Sequence, residues 1–370
     1  MTHTNELIIN LNSIKSNLIA LREKAAGAKF YAVVKADAYG LGAIKISEAI
    51  EDMVDGFCVS SMTEAVELRR AGIKKDILLL GYLNPNEYGL VSDYKISITI
   101  YNYQIAKQID DFLKRSSAKA TIHIKIDTGH GRLGFLPSSQ ALDEIEAISQ
   151  LDSFSIGGIF SHFATADEKN EDFCNLQMQR FMTVVEDLEK RGLALGDRHI
   201  SNDAGFIKHG FSLDMVRSGI GLYGIYPSSL LAEEKQVNLK ASFEWISTIS
   251  NIKTIDQGDS LSYGRTFIAK RPMKIATISI GYADGYKRLI SNRGYVLIKG
   301  KKAFVVGNIA MDQMMVDISG IDAKIGDRVT LIGENGGEVI SLDQMAQWCQ
   351  TISYEIMTSI SKRVSRIYVN

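Results

Sequence analysis

The chain has 370 residues, more than one ordinary domain holds, which suits a large domain plus a smaller one. Its 42 basic and 43 acidic residues leave a net charge of −1, so no basic field exists to hold nucleic acid. Three scattered cysteines exclude a disulfide framework or zinc spacing, the opening "MTHTNELIIN" lacks a leader pattern, and no apolar run nears the ~18 residues of a membrane span, which points to the cytoplasm.

From the N-terminus, residues 13–24 place Ile14, Leu18 and Leu21 on one helical face. "FYAVV" (30–34) then reads as the first of eight strands. It is followed by 56–60, 76–80, 96–100, 120–127, 156–162, 198–202 and 215–224. Helical patterns fall between most of them. One opens on Thr63 as N-cap and stops at Gly72, and another spans 171–192. Eight β/α units predict a (β/α)8 TIM-like barrel over 1–240, with a doubly wound open sheet as the alternative. From about residue 241 short strands follow one another with turns between, and helical signal returns only at 341–363. Residues 241–370 therefore read as a mostly β second domain.

In a β/α barrel the chemistry lies at the carboxyl ends of the strands. Lys35 follows the first strand, in "VVKADAYGLGA" (33–43). Lys125, Asp127 and Arg132 end the fifth, His162 the sixth, and Asn202 with Asp203 the seventh, while Arg217 lies in the eighth. A buried strand seldom ends on an ammonium group unless the charge is paired or the amine is used as an amine. A neutral amine requires that desolvation or nearby cations lower the ordinary lysine pKa of ~10.4.

Eight motifs in order make the chain similar to the pyridoxal-phosphate (PLP) dependent alanine racemases. They are "VVKADAYGLGA", "IKIDTGHGRLGF", "SHFATAD", "VRSGIGLYG", "LSYGRTF", "GYADGY", "AMDQ" and "SYEI". The resemblance implies a cytoplasmic homodimer with shared active sites that interconverts L- and D-alanine, supplying D-alanine for peptidoglycan. It implies a two-base mechanism in which Lys35 holds PLP as an internal aldimine and Tyr263, lent by the partner subunit, is the opposing base. His162 stands behind that base, and Arg217 faces the pyridine nitrogen. An arginine there stays charged and cannot accept a proton, so the nitrogen stays unprotonated and the electron sink is weak. The resemblance gives the phosphate to Tyr39, Tyr354, Asn202, Asp203 and the backbone N–H groups of Gly219 and Ile220. Arg132 would contact the PLP phenolic oxygen and the substrate carboxylate, with Met311 and Asp312, lent by the partner subunit, near that carboxylate and Tyr282 lining the entrance. Tyr354 would crowd the substrate methyl. Lys125 matches a lysine that is often carbamylated in the family, which turns a cation beside Arg132 into an anion. No metal is implied.

The alternatives are a racemase for another small amino acid such as serine, and a non-catalytic PLP-binding barrel. Four residues depart from the family pattern. Asp203 replaces a serine at the phosphate site, Ser218 a proline, Asn308 an arginine, and Ser365 a proline. A carboxylate within ~4 Å of a phosphate is repelled by several kcal/mol in a partly dry site. The expectation is therefore that Asp203 turns its side chain away and serves through its backbone alone; the other outcome is weaker PLP binding.

Overall fold

The structure is a computed structural model and describes residues 4–370. Two compact units divide the chain. One comprises Ser13–Ala38 and Ala43–Ala241, and the other takes Ser242–Asn370, Tyr39–Gly42 and the residues before Ser13.

The first strand, β1 (Glu6–Asn10), runs directly into the helix Leu11–Lys24, which buries Ile14, Leu18 and Leu21. The barrel strands follow: β2 (Lys29–Val33), β3 (Gly56–Val59), β4 (Asp76–Leu79), β5 (Ser97–Ile100), β6 (Ala120–Lys125), β7 (Phe154–Phe160), β8 (Asp197–His199) and β9 (Met215–Ser218). They lie in the order β8-β7-β6-β5-β4-β3-β2-β9, with every neighbour parallel. The ends of that sheet meet. Asp214 N–H donates to Arg198 O and Arg217 N–H to Ser201 O, each at 3.1 Å. A sheet closing on itself in chain order is a barrel, not a doubly wound open sheet.

All four residues of β3 and of β5 are buried, as parallel strands covered on both faces require. Each fully buried Ile or Leu here contributes about 1.5–3 kcal/mol. The helix Met62–Arg70 is capped by Ser61, not Thr63. Ser61 and Glu64 exchange side-chain and backbone hydrogen bonds in a capping box, which Thr63, already inside the helix, cannot form.

In the other unit the long strand β10 (Phe243–Ile255) organises the sheet. It pairs antiparallel with β1, with Arg328–Asn335 and, past an irregularity between Ile249 and Asn251, with Met273–Ile278. Trp245, Ile275, Ile278, Val296 and Leu331 are fully buried in this unit. Residues 6–10 precede the barrel in sequence yet belong to this sheet, because β1 pairs with β10 on one side and with Ser365–Val369 on the other. The helical region at the end is interrupted. Leu342–Cys349 stops at Gln350, which takes φ 55°, and Ser353–Thr358 follows before the last strand. Ser365, where the family pattern has proline, donates its N–H to Asn5 O at 3.1 Å, a bond proline could not make.

Candidate active site

Strand β6 reads Thr121, His123, Lys125 alternating with Ile122 and Ile124, a period of two that sends one set of side chains into the barrel. His123 and Lys125 are both buried. From β9, Arg217 is buried too and spends its guanidinium on four acceptors. Nη1 donates to His199 Nδ1 at 2.5 Å, and Nη2 faces Ser161 O at 2.9 Å, Ile200 O at 3.0 Å and His162 Nδ1 at 3.2 Å. Phe160 of β7 stacks on His199 with centroids 4.7 Å apart, and the Lys125 ammonium lies 4.3 Å from the centre of the same ring.

The direction of these bonds settles the imidazole protons. A guanidinium can only donate, so Nδ1 of His162 and Nδ1 of His199 accept, and each ring carries its proton on Nε2. His199 Nε2–H then donates to His123 Nδ1 at 2.9 Å. Burial, and the charge of Arg217 next, push the pKa of both His162 and His199 well below the usual value. Burial lowers His123 to about 4. Arg217 is itself lowered by burial to about 10 and still carries its charge at neutral pH.

Lys35 follows β2 and is half-buried. Burial first, then the charge of Arg132, lowers the pKa of its amine. Lys125 is lowered further, by burial and then by Arg217 and Arg132. Arg132 sits in a loop gathered by the Asp127 carboxylate, which accepts from the N–H groups of Gly129, Gly131 and Arg132 at 2.9–3.1 Å. After Lys35 the chain takes four consecutive left-handed residues, Ala36 to Tyr39, with φ between 51° and 57°. Such a turn costs about 1–2 kcal/mol per residue. Glu64 and Asp37 help to hold it, accepting from Ala36 N–H at 2.6 Å and Ala43 N–H at 2.8 Å.

Asn202 caps the helix Asp203–His209, its side-chain oxygen accepting from Gly205 N–H at 3.1 Å. Asp203 is buried and does not turn away from the backbone donors. Its Oδ2 accepts from Gly219 N–H at 2.9 Å and Gly221 N–H at 3.0 Å, and its Oδ1 accepts from the Ser218 hydroxyl at 2.5 Å. A carboxylate cannot be buried unpaired, and these donors satisfy it. That corrects the expected orientation.

The other unit carries the remaining predicted residues. The rings of Tyr39 and Tyr354 are neighbours, with centroids 6.0 Å apart. Tyr263 opens a short turn and is 73% exposed. Its carbonyl accepts from Asn308 Nδ2 at 2.7 Å, so the residue standing in place of the family arginine anchors that turn. Tyr282 and Met311 are also exposed. Asp312 pairs with Arg363 at 2.8 Å.

His123 and His199 are the members of the barrel cluster that sequence reading did not single out. The available signal was the polar stripe alternating with isoleucine in "TIHIKID". A cavity of about 850 Å³ lined by Arg69, Lys74, Asp76 and Lys119 opens at the amino ends of the strands, the end opposite to Lys35. In a barrel of this kind chemistry belongs to the carboxyl ends, so the titratable cluster marks the site and that cavity does not.

Residues 9–227 match the family model described as alanine racemase, N-terminal domain, and residues 242–368 match alanine racemase, C-terminal domain. The chain belongs to the alanine racemase family. It is accordingly an enzyme of the isomerase class. It is 39% identical to the alanine racemase of Desulforamulus reducens over 98% of both chains. The solved alanine racemase of Clostridium difficile superposes with a TM-score of 0.94 at 37% identity, covering 100% of this chain and 96% of that one. An alanine racemase from Bacillus anthracis, solved with bound L-Ala-P, gives 0.94 at 31% identity over the same shares. The alanine racemase fold thus accounts for both units described above.

The donor set can be tested against the cofactor that the family implies. A half-buried amine with a lowered pKa fits an aldehyde partner, and a buried guanidinium fits the neighbour of an unprotonated ring nitrogen. The N–H groups of Gly219 and Gly221 converge on one acceptor, the Asp203 carboxyl, whose pKa burial raises against the lowering effect of these hydrogen bonds; N–H groups gathered in this way suit an anion. The residues fit PLP. Among the described residues no helix is long and apolar enough to cross a membrane, and no cluster of His, Cys, Asp and Glu could hold a metal ion.

Proposed function

We propose that this protein interconverts L- and D-alanine with PLP as its cofactor, working as a homodimer whose sites combine residues of two copies. The observation that carries the reading is Lys35. It is an amine with a depressed pKa at the carboxyl end of a barrel strand, with Arg132 and Arg217 acting on its charge. The chain's membership of the family supports the rest.

When bound, PLP withdraws electrons from Cα and acidifies its proton. Lys35 takes or returns that proton on one face, which needs the neutral amine its environment favours. Tyr263 of a second copy serves the other face. Its high exposure, with that of Tyr282 and Met311, is consistent with residues offered to another chain. Arg217 stays charged and donates, so it keeps the ring nitrogen unprotonated and limits side reactions. His162 stands ready behind the tyrosine, its Nε2–H left to donate because Arg217 holds Nδ1. Arg132 orients the substrate carboxylate together with Met311 and Asp312 of the second copy, Tyr354 limits the side chain to a methyl, and Tyr282 lines the way in. Tyr39, Tyr354, Asn202, Gly219 and Ile220 take the phosphate. Burial, then Arg217 and Arg132, lower the pKa of Lys125, which favours a free amine that can add carbon dioxide and, releasing a proton to solvent, become the anion that Arg132 needs.

The buried free thiols of Cys58, Cys174 and Cys349 suit a reducing compartment, so we place the protein in the cytoplasm, supplying D-alanine for cell-wall peptidoglycan. The test is D-alanine formation from L-alanine by the holoenzyme, followed by chiral separation. Turnover is expected for wild type and absent for Lys35→Ala. Faster turnover of serine than of alanine would replace the substrate, and an active Lys35→Ala would overturn the assignment.

A further inference from the structure

Two substitutions that depart from the family pattern, Asp203 and Ser218, meet each other in space. The Ser218 hydroxyl donates to Asp203 Oδ1, while Asp203 Oδ2 takes the N–H groups of Gly219 and Gly221. Both side chains are buried, Ser218 completely. A Cβ at position 221 would lie 3.1 Å from Asp203 Oδ1, so glycine there leaves room for the carboxylate to approach. The proposed function gives the cofactor phosphate the N–H groups of Gly219 and Ile220, and Asp203 already takes the first and is also bonded by the second. Resting on that reading, we propose that Asp203 is a tethered competitor for the phosphate. Its carboxylate fills the anion nest, and the cofactor gains its phosphate contacts only by displacing it.

The chemistry runs in one direction. A backbone N–H can serve one strong acceptor well, and two anions sharing the nest repel each other. The phosphate therefore recovers less free energy here than it would in a nest whose donors were unspent. The carboxyl is held by the Ser218 hydroxyl and the N–H groups of Gly219, Ile220 and Gly221, without a cationic partner at hydrogen-bond distance, so a phosphate can compete for the same donors. The protein is therefore expected to exchange PLP readily.

Removing the carboxylate has opposite consequences for the two forms. Asp203→Ser leaves the N–H groups of Gly219 and Gly221 without an acceptor in the apo-protein and frees them for phosphate in the holoenzyme. The cofactor-induced rise in Tm therefore grows. A residue with a merely structural role would lower both forms together.

The experiment titrates the apo-protein with PLP and with pyridoxal, which lacks the phosphate, following the absorbance of the lysine–cofactor linkage. For wild type we expect PLP to bind less than tenfold more tightly than pyridoxal. For Asp203→Ser, and in smaller measure for the isosteric Asp203→Asn, PLP binds at least tenfold more tightly than to wild type, while pyridoxal affinity is unchanged. Added inorganic phosphate competes with PLP in Asp203→Ser and not in wild type. A wild-type preference for PLP over pyridoxal of a hundredfold or more overturns the proposal without any variant. So does a PLP affinity unchanged or weakened in whichever of Asp203→Ser and Asp203→Asn folds. Failure of wild type and variants alike to bind either aldehyde removes the proposed cofactor itself, a result distinct from a failure of the competition.

Discussion

Arg217 donates to His199 at 2.5 Å, and that single bond dictates the protonation of a buried histidine pair. Because the guanidinium has no lone pair to offer, His199 must accept on Nδ1 and pass its Nε2–H to His123. His199→Ala leaves a buried guanidinium N–H without its partner. It is expected to cost about 2–3 kcal/mol in denaturant unfolding, more than the neutral contact His123→Ala removes. Nitrogen NMR should show His199 and His162 protonated on Nε2 and neutral throughout the physiological range. A doubly protonated imidazole at pH 7 would contradict the network.

The same burial makes stability depend on pH. His123 is lowered to about 4, against an ordinary value near 6.5 in the unfolded chain, and His162 and His199 are lowered in the same sense. Between those values the unfolded state binds protons that the folded state refuses, so stability falls as the pH is lowered. Unfolding free energy measured from pH 7 to pH 4.5 should decline steadily, and His123→Gln should make the slope shallower.

Gly42 takes φ +100°, and a Cβ there would lie 1.8 Å from the Tyr368 hydroxyl, which donates to Leu41 O at 2.9 Å. Gly42→Ala must strain the backbone and displace that bond. A loss of about 2 kcal/mol or more in unfolding free energy is expected. A loss under about 0.5 kcal/mol would mean that the last strand moves aside at little cost.

If the sites are built from two copies, inactive Lys35→Ala and inactive Tyr263→Ala chains should complement one another. Unfolding and refolding an equal mixture yields hybrid dimers in which one site has both bases intact. About a quarter of wild-type activity is expected from random pairing, with half the dimers hybrid and one site of two restored. No recovery would place both bases on one copy.

The barrel was legible because parallel strands covered on both faces write themselves as short apolar runs, such as "GFCV" and "SITI". The strand β1 was not. "ELIIN" is short, passes into a helix without a turn, and owes its place to β10 and to Ser365–Val369, partners more than 200 residues away. Lys35 announced itself as a cation ending a buried strand, and Tyr263 through its motif. His123 and His199 were hidden because a histidine in an apolar strand reads as packing until the arginine that organises it is found. Asp203 was recognised as a departure, yet its orientation depended on Ser218 and on the N–H groups of Gly219 and Gly221, a geometry no local pattern encodes.

The central claim is that two different groups serve the two faces of Cα. Deuterium incorporation at Cα from heavy water, measured separately from L-alanine and from D-alanine, tests it in Tyr263→Phe. The account predicts that exchange from one enantiomer falls by a hundredfold or more while exchange from the other persists, since Lys35 still works on its own face. Equal loss from both enantiomers would contradict it.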